Sequence, residues 1–129
     1  MIIKINFSSS KPIYQQLKDQ IVEGIAKKEL KNGEKLPSIR QLAGDIGINM
    51  HTVNKVYNQL RIEGYIRIHK HRSMIVNTKN MECDEQYLSE LSEKMKPIIA
   101  ESICHGLSSK DFHKHTSAIF NKLNLGRKL

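Results

Sequence analysis

Residues 36–60 read LPSIRQLAGDIGINMHTVNKVYNQL, and the spacing of apolar and polar positions in this stretch decides the fold. Ser38 can cap a helix, with Gln41 at the capping-box position, and Ile39, Leu42, Ala43 and Ile46 then fall on one helical face. Gly47 stops that helix because a glycine takes positive φ at little cost. Asn49 supplies a cap oxygen for a second helix whose apolar face is Val53, Val56, Tyr57 and Leu60. Two short helices meeting at so tight a turn have the form of a DNA-reading helix-turn-helix. The opposite face of the second helix carries Met50, His51, Asn54, Lys55 and Asn58, short or cationic groups able to meet base edges and phosphates in a major groove. The plain alternative is a solvated face, which any amphipathic surface helix possesses.

Toward the amino terminus, Met1 to Phe7 alternates Ile3, Ile5 and Phe7 with Lys4 and Asn6, which predicts a small edge strand ended by Ser8 to Lys11. Pro12, tolerated in a first turn, opens a helix to about Lys28 with the stripe Ile13, Leu17, Ile21 and Ile25, flanked by Tyr14 and Val22. Gly24 within it should cost about 1 kcal/mol relative to Ala, so a close backbone approach is its expected reason. Asn32-Gly33 signals a turn, and Pro37 holds the chain extended before the Ser38 cap.

Beyond Leu60 the helix is expected to end at Gly64. Tyr65 to His69 and Ser73 to Asn77 read as two strands around the basic tip Lys70, His71 and Arg72. A hairpin directly after a recognition helix is where a wing would lie, the alternative being an ordinary hairpin with a solvated tip. From Asp84 the pattern is helical again, with Leu88, Leu91, Met95, Ile98 or Ile99, Ile103 and Leu107 on one side, a kink expected at Pro97, and a stop at Gly106. Ser108 and Asp111 start a last helix bearing Phe112, Thr116, Ile119, Phe120 and Leu123. Two amphipathic helices with so short a connection cannot bury both faces alone. A second copy would cover them across a two-fold interface; packing back on the first domain is the alternative.

The fold class is therefore α+β and mostly helical: a winged helix-turn-helix domain over residues 1–79, then a two-helix dimerisation region over residues 80–129. The formal charge of +8 is asymmetric, since residues 1–80 hold 14 Lys or Arg against 6 Asp or Glu, and residues 81–129 hold 7 against 7. The first part is the one that faces a polyanion. Cys83 and Cys104 form no CxxC pair or disulfide framework, and with no secretory leader or membrane-length apolar run a reducing cytosol fits best. His105, His113 and His115 with Cys104 and Asp111 lack the tight spacing of a metal cluster, so no metal or other cofactor is expected. No nucleophile, base and orienting group, phosphate-binding glycine loop or paired carboxylates can be assembled, which excludes an enzyme reading.

The segments P-I-Y-Q-Q-L, L-P-S-I-R-Q-L-A, T-V-N-K-V-Y-N-Q-L and E-G-Y-I, in this order over about residues 10–77, resemble the GntR family of bacterial transcription regulators. The short C-terminal part is most similar to the YtrA subfamily. The resemblance implies a winged helix-turn-helix that binds operator DNA as a dimer, often to control genes of ABC transporters, with no large effector-binding domain. It implies DNA contacts from Arg40, beside Ser38, from Asn49, Met50, His51 and Thr52, and from the tip Lys70, His71 and Arg72, to which the exposed face adds Asn54 and Lys55. The dimerisation set is Leu88, Leu91, Met95, Ile98, Ile103, Phe112, Ile119 and Leu123. The partners expected are double-stranded operator DNA and a second copy of the chain. Three departures mark the chain: Met50 where many relatives have Arg or Pro, Asn54 where many have Arg, and a wing tip without glycine. A winged-helix module for protein contacts, with its charge serving solubility, is the competing function.

Overall fold

The structure is a computed structural model that describes residues 2–78 and 81–124. It falls into two compact units, one reaching to Met81 and one beginning at Glu82. The boundary expected at residues 79 and 80 lies outside the described residues.

In the first unit, α1 spans Ile13–Ala26, α2 Ile39–Ile46 and α3 Met50–Ile62, followed by a hairpin of β1 Ile66–Ile68 and β2 Met74–Val76. The core closes by placing Leu17 and Ile21 of α1 against Leu42 of α2, Val53, Val56, Tyr57 and Leu60 of α3, and Ile66 and Val76 of the hairpin. Each helix contributes one stripe at helical spacing, so three stripes and one hairpin face exclude water together. Gly24 is where Leu30 folds back over α1: a Cβ there would meet Leu30 Cδ1 at 3.2 Å. That tight approach fits a glycine in the last turn of α1. α1 ends at Ala26 because Lys28 turns left-handed, at φ 61°.

The amino-terminal strand does not form. Residues 2–6 carry no strand hydrogen bonding; two glutamine side chains of α1 take the place of a partner strand. Gln20 accepts from Lys4 N–H at 2.9 Å and donates to Lys4 C=O at 2.7 Å. The buried Gln16 accepts from Asn6 N–H at 2.8 Å and donates to the carbonyls of Asn6 and Lys11 at 3.0 and 2.8 Å. The alternation of Ile3 and Ile5 has its cause nonetheless, since both lean on the core. An apolar alternation records one buried face, not what pairs with the backbone.

The hairpin pairs Ile66 with Val76 and Ile68 with Met74. Its other edge meets the chain just before α2: Lys35 bridges Ile75, Leu36 N–H donates to Met74 C=O at 2.8 Å, and Val76 N–H donates to Glu34 C=O at 2.9 Å. The segment expected to be only a turn therefore also ties the wing to the start of the helix-turn-helix. At the tip His71 and Arg72 both hold positive φ, 62° and 60°, and Ser73 N–H reaches Lys70 C=O at 3.4 Å. These φ values are what a type I′ turn requires at its two central positions. Without glycine each costs about 1–2 kcal/mol of backbone strain.

In the second unit, α4 runs Glu85–Cys104 and α5 Ser109–Leu123. Asp84 caps α4 by accepting from Tyr87 N–H at 2.8 Å, and Ser108 caps α5 by accepting from Asp111 N–H at 3.1 Å. α4 continues as one helix through Pro97, and Gly106, at φ 82°, follows its end. No described residue of either helix is buried. Leu91, Phe112 and Leu123 are half-buried, whereas Leu88, Met95, Ile98, Ile103 and Ile119 are exposed. Among the described residues no helix is long and apolar enough to cross a membrane.

Candidate nucleic-acid interface

Both helices of the helix-turn-helix start from side-chain caps. Ser38 Oγ accepts from Gln41 N–H at 3.1 Å and Asn49 Oδ1 accepts from His51 N–H at 2.8 Å. Gly47, at φ 70°, closes α2 and sends the chain into α3. The caps satisfy backbone donors that the helices leave open, so the hydroxyl of Ser38 and the carbonyl of Asn49 have structural work besides any contact with DNA.

One buried side chain sets the two helices in register. Tyr57, almost wholly enclosed on α3, donates its hydroxyl to Pro37 C=O at 2.8 Å. It thereby fixes the turn that precedes Ser38 and, through it, the placement of Arg40. Burial pushes the phenol well above its ordinary value, which keeps it a neutral donor. A raised folded-state value means that this contribution is fully present below the unfolded tyrosine value, about 10, and is lost as pH rises beyond it. Tyr57→Phe should cost about 1 kcal/mol in urea unfolding at neutral pH and blunt the loss of stability in alkaline solution. A variant as stable as the parent and equally sensitive to alkali would show the bond to be without weight.

Between α2, α3 and the wing lies an open cleft of about 920 Å³. Of the sequence-predicted residues, it brings together Ser38, Arg40, Asn54, His71 and Arg72. Met50 and His51 are exposed in the first turn of α3, Thr52 is half-buried there, and Lys70 is exposed at the wing tip. Lys55 is outside the cleft: its ammonium lies 4.1 Å from the centroid of the Tyr14 ring. The cleft also holds Lys35 and Arg61, which the sequence reading passed over. Arg61 follows Asn54 and Asn58 at helical spacing, a signal that was present; Lys35 has none, because its place comes from the bridge to Ile75. Four of the residues lining the cleft are Lys or Arg and none is acidic, so the field within it attracts an anion along its length.

Residues 13–76, the whole span from α1 to the end of the wing, match the family described as "Bacterial regulatory proteins, gntR family". The chain is similar to the HTH-type transcriptional repressor YtrA of Bacillus subtilis, at 33% identity over 98% of each protein. Among solved structures it is similar to one described as a transcriptional antiterminator from Listeria monocytogenes, with a TM-score of 0.86, 30% identity, and 95% of this chain and 92% of that one covered. It is also similar to YtrA from Sulfolobus acidocaldarius, a GntR-family transcription factor, with a TM-score of 0.60, 49% identity, and coverage of 73% and 96%. The order of elements, the capped turn between α2 and α3 and the likeness to a repressor along nearly the full length lead to one assignment: the chain belongs to the GntR family of bacterial regulatory proteins.

Proposed function

We propose that this family member is a transcriptional repressor of the bacterial cytoplasm that reads an inverted-repeat operator as a homodimer. The observation that carries the DNA-binding part is the acid-free cationic cleft between α3 and the wing. A helix that enters a major groove needs its neighbouring surface to meet the sugar–phosphate strand, and Arg40, Arg61 and Arg72 supply charge there. Ser38, Asn49, Met50, His51, Thr52, Asn54, Lys55, Lys70 and His71 complete the contact surface. The exposed apolar side chains of α4 and α5 supply the two-fold interface. The subfamily resemblance makes ABC transporter genes the targets to examine.

The test is a binding isotherm on duplex DNA at several salt concentrations. Affinity should fall linearly on a log-log plot, by a slope of about 0.9 for each phosphate neutralised. A flat plot, together with no preference for any duplex, would favour the protein-interaction module and remove Lys70 and Arg72 from the interface.

Asn54 is the candidate for base reading, since a carboxamide pairs bidentately with adenine. Asn54→Ala should lose about 1–3 kcal/mol on the operator, little on random DNA, and relax preference at one base position. Equal losses on both would reassign Asn54 to the backbone.

A further inference from the structure

α3 has two distinct flanks. Asn54, Asn58 and Arg61 line the cleft on the wing side, whereas Lys55 and Gln59 line a smaller cleft on the α1 side, together with Tyr14. At 3.6 residues per turn, Lys55 stands about 100° around the helix from Asn54. A helix lying in a major groove has a sugar–phosphate strand on either side of it, so the two flanks face different strands.

On the α1 side the cations are not equivalent. Lys11 pairs with Asp19, and Lys18 pairs with Glu63 at 2.7 Å, so each carries a local counter-charge. Lys55 has no described carboxylate as partner; its ammonium is 4.1 Å from the centre of the Tyr14 ring. A carboxylate in that place would hold the lysine and repel a phosphate. An aromatic face attracts the ammonium through its quadrupole and leaves the unit charge uncancelled. The ring is partly exposed and stands in the first turn of α1, so the contact joins the helix that reads DNA to the one packed behind it.

We propose that Tyr14 is a positioning residue for DNA binding: its ring holds the Lys55 ammonium toward phosphates of the strand that borders α3 on the side away from the wing. This rests on the DNA-binding reading above and adds to it a residue that need not touch DNA. A flexible four-carbon stem held in advance loses less freedom when it meets a phosphate.

The test is a double-mutant cycle on the full-length protein, with an operator duplex selected from random sequence and an unselected duplex of the same length. Lys55→Gln should weaken binding to both duplexes and reduce the salt slope by about 0.9. Tyr14→Leu should weaken binding by about two- to fivefold, Tyr14→Phe should bind as the parent does, and Tyr14→Leu should have no further effect once Lys55 is Gln. The Lys55 ε-methylene protons, observed by NMR without DNA, should shift upfield in the parent and in Tyr14→Phe, and lose that shift in Tyr14→Leu. Additive losses from Tyr14→Leu and Lys55→Gln would overturn the proposal and leave DNA binding standing. Weakening by Tyr14→Phe equal to that of Tyr14→Leu would overturn it in favour of a direct contact from the hydroxyl. Failure of the parent to bind any duplex would remove the DNA-binding reading itself, and this inference with it.

Discussion

Cut after Met81, the chain should sediment as a monomer, remain folded, and lose operator affinity by about 10²–10⁴. The first unit has its own closed core of three helices and a hairpin, so its fold does not depend on the residues removed. The second unit is different in kind. Ile98 is 57% exposed, Ile103 67%, Ile119 57% and Phe120 67%, apolar surface that water does not favour. In the homodimer proposed above, a second copy of α4 and α5 would give these side chains a partner of matching character through an isologous contact. Once two chains are joined, binding of the second winged domain to its half-site becomes effectively intramolecular, and the gain of about 10²–10⁴ needs no further contact with DNA if the spacing fits. Leu91→Asp or Ile119→Asp in the full chain should act as the cut does, by placing a charge in an apolar interface. Sedimentation together with binding to paired and single half-sites decides the matter. A truncated protein that remains dimeric would move the interface into the first unit.

Leu60→Ala should be among the most damaging substitutions to stability, at about 2–5 kcal/mol. Leu60 has no exposed surface and lies in the core that α3 shares with α1 and the hairpin. Its loss removes buried methyl groups and leaves a cavity that the neighbouring helices fill only in part. Against a small domain's total of about 5–15 kcal/mol this is a large share, and the urea midpoint should fall accordingly. DNA affinity should behave differently. Molecules that remain folded keep Arg40, Asn54 and the wing in place, so the fraction of competent protein falls while the dissociation constant of that fraction does not. If the folded fraction itself bound weakly at low temperature, Leu60 would be positioning α3 on the DNA, and not only holding the core together.

The helix-turn-helix was legible because its signals are local. Ser38 and Asn49 accept from backbone N–H groups three and two residues away, as Ser108 does at the start of α5, and Gly47 closes α2 by its own φ. The burial of Val53, Val56, Tyr57 and Leu60 follows from the helical period alone. The resemblance of the quoted motifs to the GntR family gave the arrangement of these parts, and the chain's membership of that family agrees with it.

What the tertiary structure decided has partners far along the chain. Alternating Ile3 and Ile5 fit a strand equally well as an extended arm; Gln16 and Gln20 of α1, by bonding to that backbone, make it an arm. Lys35 becomes part of the cleft because it bridges Ile75, forty residues on. Lys55 lies over Tyr14 because α1 and α3 pack together, and no spacing within α3 reports that ring. At the wing tip His71 and Arg72 take left-handed conformations that their own preferences oppose, in a connection held between two strands paired through Ile66 and Val76 and through Ile68 and Met74. Caps, stops and periodicity are properties of neighbours and can be read from order alone; which surface each helix then meets depends on packing energies summed over residues that the sequence keeps apart.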